Sequence, residues 1–460
     1  MLRGISRFCR TGMLVGGLAF SGMNLFGDEP ATEPVGYESV VVESMFGEVA
    51  DPNAVPAPME YYSAPSRWEQ LMASPNLTGD WGGYRTDLME HGIIYQGFLT
   101  QFYQGAAHGG REQDFQYGAK MDQFVILQGD KLGLWEGFFV NMHAETRMGQ
   151  DANLDAVGLA PVNANMLWPG QTQTTAITNL TFTQALSEEW MVTLGKFNTL
   201  DLFNQLYPQN GRGIDGFMNV STLIPLSIAR PLNLSVNGAG IMKLNQGQVQ
   251  GTLAVVDAQN SSTTVGVSDM FSKGAVVIGY WREFTEFRGL PGSHGLLAEI
   301  STRNYTSLDA SDFYFDPNTG LVTSTKSNTW ALAYFGEQKL WVDCCNPKRN
   351  LGLFTSWGIS DGNPNAIRWS GNISVQGTGL NSSRPMDSMG VGYFYTGLSG
   401  TFENLVSPVV QLQDATGGEL YYNMAVTQWL NVTPDLQIIQ PSLTGNDTAI
   451  VVGLRGKLTF

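Results

Sequence analysis

Once its first 27 residues are set aside, this chain lacks any apolar run long enough to cross a bilayer as a helix, which takes roughly 20 apolar residues. Positive charge is also scarce, with 25 Lys and Arg against 41 Asp and Glu. The net charge of −16 therefore implies no nucleic-acid partner. Cysteine is limited to Cys9, Cys344 and Cys345. The last two are adjacent and admit either a vicinal disulfide or two free thiols at a strand end. There is no Cys-x-x-Cys pair, and His91, His108, His143 and His294 are scattered without metal-ligand spacing, so neither a metal nor a cofactor is expected. Only 14% of residues are charged, whereas 54 are Gly and 11% are aromatic. That composition suits short strands separated by turns.

The first 27 residues have the layout of a secretory leader. Arg3, Arg7 and Arg10 precede the apolar stretch Met13–Phe26, and acidic sequence follows Gly27. Read as a membrane anchor, the stretch falls short, since about fourteen moderately apolar residues cannot span the hydrocarbon layer. Loss of the leader removes three Arg and leaves 22 basic against 41 acidic residues, a net charge of −19. Residues 28–75 are acidic and Pro-containing and read as a disordered periplasmic segment, in which Ser39–Gly47 could pair as a strand.

From residue 76 to 460 the sequence settles into short apolar and polar alternations broken by Gly, Asn, Asp and Pro. The last strand shows the pattern best. Ile450, Val452, Leu454, Leu458 and Phe460 share one face and Arg455, Lys457 and Thr459 the other, because side chains alternate across a strand. Glu419–Leu430 repeats the split, with Leu420, Tyr422 and Met424 opposite Glu419 and Asn423. One face suits lipid and the other water. A chain that spans without helices must close its strands into a barrel, since open edges leave backbone groups unpaired in lipid. The expected fold is therefore all-β, an antiparallel transmembrane β-barrel of about 16 strands over residues 76–460, preceded by a short helical element. A barrel of that size encloses water. Tyr84, Trp190, Tyr393, Tyr395, Tyr422 and Trp429 suit aromatic girdles, while Trp81, with Asp80 and Arg85 beside it, suits the rim.

The segment Leu77–Ile93, with Gly79-Asp80-Trp81-Gly82-Gly83-Tyr84-Arg85, resembles the opening motif of the carbohydrate-selective porins of the OprB family. Further blocks resemble the family in its order: Gly195–Asn198, Phe217–Asn219, Gly352–Phe354 with Trp357-Gly358 and Asp361–Pro364, Ser383–Asp387, Glu419–Tyr422, Pro434–Gln437 and Gly453–Arg455. The resemblance implies a bacterial outer-membrane pore for passive diffusion of mono- and short oligosaccharides. It also implies a constriction, rich in arginine and accompanied by acids, on an inward-folded loop. Guanidinium groups donate to sugar hydroxyls and carboxylates accept from them, while aromatic rings meet the C–H faces. Here the loop Asn198–Phe217 supplies Asp201, Arg212 and Asp215. Glu145 and Arg147 lie two apart on one strand face beside it, and Arg230 precedes Pro231. The alternative for each is a solvated charge at the barrel mouth. Phe460 reads as the terminal aromatic that the barrel-assembly machinery recognises. The partners implied are small sugars, outer-membrane lipid and that machinery, with the barrel either monomeric or trimeric.

Three other functions stay open at this level: a general diffusion porin, a plugged structural barrel, and an outer-membrane enzyme. For the enzyme, His143 with Ser221 or Ser227, or a pair of carboxylates, would carry the chemistry.

Overall fold

Period-two alternation recurs along the chain because each strand must present lipid-compatible side chains outward and polar ones inward. A computed structural model shows the result for residues 66–156, 159–170, 173–318 and 320–460. The leader 1–27, nearly all of the acidic segment and the Ser39–Gly47 patch lie outside the described residues. The first half of the wall comprises β1 (Ile93–His108), β2 (Phe115–Gln128), β3 (Phe138–Gly149), β4 (Thr174–Ala185), β5 (Trp190–Asn198), β6 (Ser235–Asn245), β7 (Gln248–Asp257), β8 (Ala275–Phe287) and β9 (Leu290–Thr306). A small hairpin, β10 (Phe313–Asp316) and β11 (Gly320–Thr323), stands apart from the wall. The wall resumes with β12 (Thr325–Val342), β13 (Asn350–Ser360), β14 (Ile367–Thr378), β15 (Ser388–Leu398), β16 (Ala415–Ala425), β17 (Leu430–Gln440) and β18 (Ala449–Thr459).

Sixteen of these strands form one closed antiparallel barrel, and β18 returns to β1 in a register that runs from Phe98↔Thr459 to His108↔Ile450. Closure removes every free edge, as lipid demands. The inward and outward faces differ sharply. On β9, Leu296 and Ile300 are 65% and 46% exposed on the outer face, whereas Leu297, Glu299 and Ser301 on the inner face are at most 6% exposed. Trp281, Trp330, Trp357 and Trp369 add exposed outer aromatics. In water such an apolar girdle would drive aggregation; in a membrane it is the solvated surface. Among the described residues no helix is long and apolar enough to cross a membrane.

The expected N-terminal element comprises α1 (Arg67–Ala73) and α2 (Tyr84–Glu90). Ser66 and Glu69 cap α1 reciprocally, and the Asp80 carboxylate accepts the Thr86 N–H at 3.0 Å, which fixes the start of α2. Arg85 covers the Trp81 ring at 4.5 Å, and Trp81 in turn meets Tyr95 at the rim that carries the termini. Trp429 differs from the girdle expectation. It is buried, and its indole N–H donates to the Leu71 carbonyl at 2.9 Å, so it anchors α1. At the same rim, Cys344 and Cys345 are free thiols with their Sγ atoms 3.3 Å apart in the β12–β13 turn.

Candidate functional site

The connection from β5 to β6 turns into the barrel. Asn198 begins the turn: its side-chain oxygen accepts the N–H groups of Leu200 and Asp201 at 3.0 and 3.2 Å and starts α3 (Thr199–Leu206). The neck is closed by Thr199 N–H donating to the Leu234 carbonyl at 3.0 Å. Between these points the chain follows the inner wall past β3, β18, β16 and β14 before it rejoins β6. Inner-face glycines make room for it. A Cβ on Gly392 would meet Thr222 Cγ2 at 2.7 Å and Phe217 at 3.2 Å, and one on Gly358 would meet Ser227 Oγ at 2.4 Å. Part of the glycine content is thus a seat for this loop.

Two polar latches hold the loop down. In the first, Lys120 and Asp122 on β2 and His143 and Glu145 on β3 face Asp201 and Arg212 of the loop. His143 lies between two carboxylates, Nδ1 at 2.7 Å from Asp201 and Nε2 at 2.9 Å from Asp122, and stacks on Phe124 at 3.9 Å. Lys120 bonds Glu145 and lies 3.3 Å from Asp122, while Arg212 pairs with Asp201 at 2.8 Å and lies over the Phe124 ring at 4.6 Å. Asn198 also donates to Glu145 at 3.1 Å. Burial opposes the Asp201 charge, but His143 and then Arg212 outweigh it and hold this carboxyl down to about 2. Asp122, His143 and Glu145 converge closely enough to suggest a metal site. The ammonium of Lys120 already serves as their cation.

The second latch lies on the strands that end the chain. Glu419 accepts the backbone N–H of Met218, the N–H of Asn219 at 3.2 Å and the Thr222 hydroxyl at 2.9 Å. Arg455 donates to the Gly213 and Gly216 carbonyls, both at 2.9 Å, and Lys457 pairs with Asp215. The inward parity of Arg455 and Lys457 is the parity read from the last strand.

The six charged residues singled out from sequence therefore divide. Glu145, Asp201, Arg212 and Asp215 meet in or beside the two latches. Of these, Glu145 and Arg212 are buried. Arg147 is buried as well, but it serves a different loop, donating to the Gly170 carbonyl and pairing with Asp151. Arg230 stands apart near Tyr305.

Open space lies on the other side of the lumen. A cavity of about 740 Å³ runs between α3 and the wall of β3 to β9 and β12. Hydroxyl and amide groups of Thr181, Thr183, Thr193 and Gln205 line it, together with Phe203 and Phe284. Its charges are Arg282, Glu337 and Lys339. Arg282 donates to the Leu206 carbonyl at 2.6 Å, stands 3.5 Å from Glu337 and lies over Phe284 at 4.7 Å. These three were missed in the sequence, although parity pointed to them: Tyr280, Arg282 and Phe284 alternate on β8, and Phe335, Glu337 and Lys339 on β12.

Comparison with known proteins bears on this architecture. The sequence profile described as "Carbohydrate-selective porin, OprB family" matches residues 111–460. Porin B of Pseudomonas aeruginosa is 24% identical over 441 residues, which cover 87% of this chain and 93% of that protein. Two structures of Pseudomonas putida OprB, at high and low pH, align with TM-scores of 0.68 and 0.53 and identities of 21% and 18%. Each alignment covers 84% of this chain and 99% of the other.

Proposed function

This chain belongs to the OprB family of carbohydrate-selective porins, and from that premise we propose that sugars pass along the β3–β9 and β12 side of its lumen, beside the inward loop. It is a bacterial outer-membrane barrel through which carbohydrates diffuse passively. The observation that carries the route is the cavity of about 740 Å³, whose mostly apolar lining is interrupted by the hydroxyl and amide groups of Thr181, Thr183, Thr193 and Gln205 and by Arg282, Glu337 and Lys339. Such a lining exchanges weak hydrogen bonds with sugar hydroxyls, so that a solute can both bind and leave. Glu145, Asp201, Arg212 and Asp215 then set the pore width by fixing the loop, and Arg147 does the same for the loop after β3.

Passage rather than catalysis is favoured by the partners of the polar groups. His143 is engaged with Asp122 and Asp201, the Ser227 hydroxyl accepts from Ser370 at 3.2 Å, and the Ser221 hydroxyl is buried without a bond to His143 or, among the described residues, to any other base. Glu419 lies beneath the loop, saturated by its N–H groups. Arg282→Ala is expected to weaken sugar block of bilayer current about tenfold, or roughly 1.4 kcal/mol, near the lower end of what one charge-assisted hydrogen bond contributes. Unchanged block in that variant would move the route elsewhere.

A further inference from the structure

At the mouth opposite the termini, the inner face of β9 ends in Arg303 and Tyr305. The Tyr305 ring is 6% exposed, and its hydroxyl lies 3.0 Å from Ser301 Oγ, so its position is fixed. Two guanidinium groups lie against this one ring: Arg303 from the strand at 5.3 Å and Arg230 from the end of the inward loop at 4.9 Å. Arg303 spends one N–H on the Ala258 carbonyl at 2.9 Å. Arg230 is exposed.

The charge balance here differs from the rest of the lumen. Arg147, Arg212 and Arg282 each have a carboxylate partner. Among the described residues Arg230 and Arg303 have none, although they are close enough to repel each other. Asp361, after β13, acts on Arg230 only through space, and its Oδ1 is buried without a partner. Two like charges held on one ring, with no carboxylate at ion-pair distance and Asp361 offsetting them only from farther away, form a place where an anionic group is stabilised, as in the arginine and lysine rings of anion-selective pores. The chain as a whole repels anions, with a net charge of −16, so a local basic pair at the mouth has a selective effect that the composition alone would hide.

We infer that Arg230, Arg303 and Tyr305 form a capture site at the extracellular mouth for the carboxylate of an acidic saccharide, a hexuronate. The inference rests on the porin reading: the hydroxyl and amide cavity below accepts the sugar body, and the arginine pair selects the charged group. Their positive charge draws the carboxylate, and N–H groups of both side chains donate to it.

The test is uptake into proteoliposomes of glucuronate, glucose and inorganic sulfate by the wild-type barrel, R230Q/R303Q and R230K/R303K. We expect R230Q/R303Q to lose glucuronate uptake about fivefold relative to glucose, within the range by which local charge alters encounter rates. R230K/R303K should retain most of it, and glucose should enter all three alike. Parallel losses of glucuronate and glucose would overturn the assignment, as would a lysine variant no better than the glutamine one. Sensitivity of sulfate alone would reduce the pair to a site for simple inorganic anions. Failure of the wild type to admit glucose would instead overturn the porin reading beneath it.

Discussion

Asp201 is the residue on which the first latch converges, since it accepts from both His143 and Arg212 at 2.7 and 2.8 Å. An amide in its place could accept through one oxygen only, and its NH₂ would face a donor. Removing one member of a buried charged set costs about 3–5 kcal/mol, because the remaining charges stay buried without compensation. Asp201→Asn is therefore expected to leave the barrel folded but to free the start of the loop. The result would be larger and noisier single-channel current, and faster cleavage of the loop by protease added to the purified barrel. Current and cleavage equal to wild type would show that Arg212 and His143 do not need this carboxylate to hold the loop.

At the scale of elements, the inward loop and its wall are complementary in shape as well as charge. Phe217 packs edge-on against Tyr421 at 4.9 Å within the second latch, and Gly390 and Gly392 leave the space that its ring fills. Gly392→Val puts side-chain atoms where Thr222 and Phe217 lie. Overpacking of this kind costs about 1–3 kcal/mol. The loop can move more easily than the hydrogen-bonded wall, so the expected change is a displaced loop and altered conductance with an intact barrel. Circular dichroism and single-channel recording on the same preparation would separate these effects, and wild-type conductance would refute the seat.

The closed wall is completed by the chain's own ends. Phe460 N–H donates to the Gly97 carbonyl at 2.9 Å, and Leu77 N–H donates to the Thr459 carbonyl at 2.8 Å. The terminal aromatic contributes one hydrogen bond to a wall of sixteen strands. Its deletion should thus reduce stability by only about 0.5–1.5 kcal/mol while lowering the amount inserted in cells several-fold. Comparing membrane yield with the melting of the protein folded in detergent checks this, and equal yields would remove any assembly role from Phe460. The same scale explains how an acidic protein can serve anions: selection depends on the charges that face the route, and most lumenal charges are cancelled inside the latches.

Much of the molecule was legible in its residues. The alternation of Ile450, Val452 and Leu454 against Arg455 and Lys457 fixes which side faces lipid, because side-chain direction along a strand is a local, two-residue property. The lack of apolar runs together with this alternation led to a closed barrel, and the spacing of strands to its size. What the charges of the lumen do was decided elsewhere. Asp201 and Arg212 looked like free constriction residues until β2 and β3 brought His143, Asp122 and Glu145 against them, and Arg282 became a cavity residue only because the loop occupies the opposite wall. Parity states the face on which a side chain lies, but its partner across the lumen is set by closure of the barrel, which joins residues far apart in sequence.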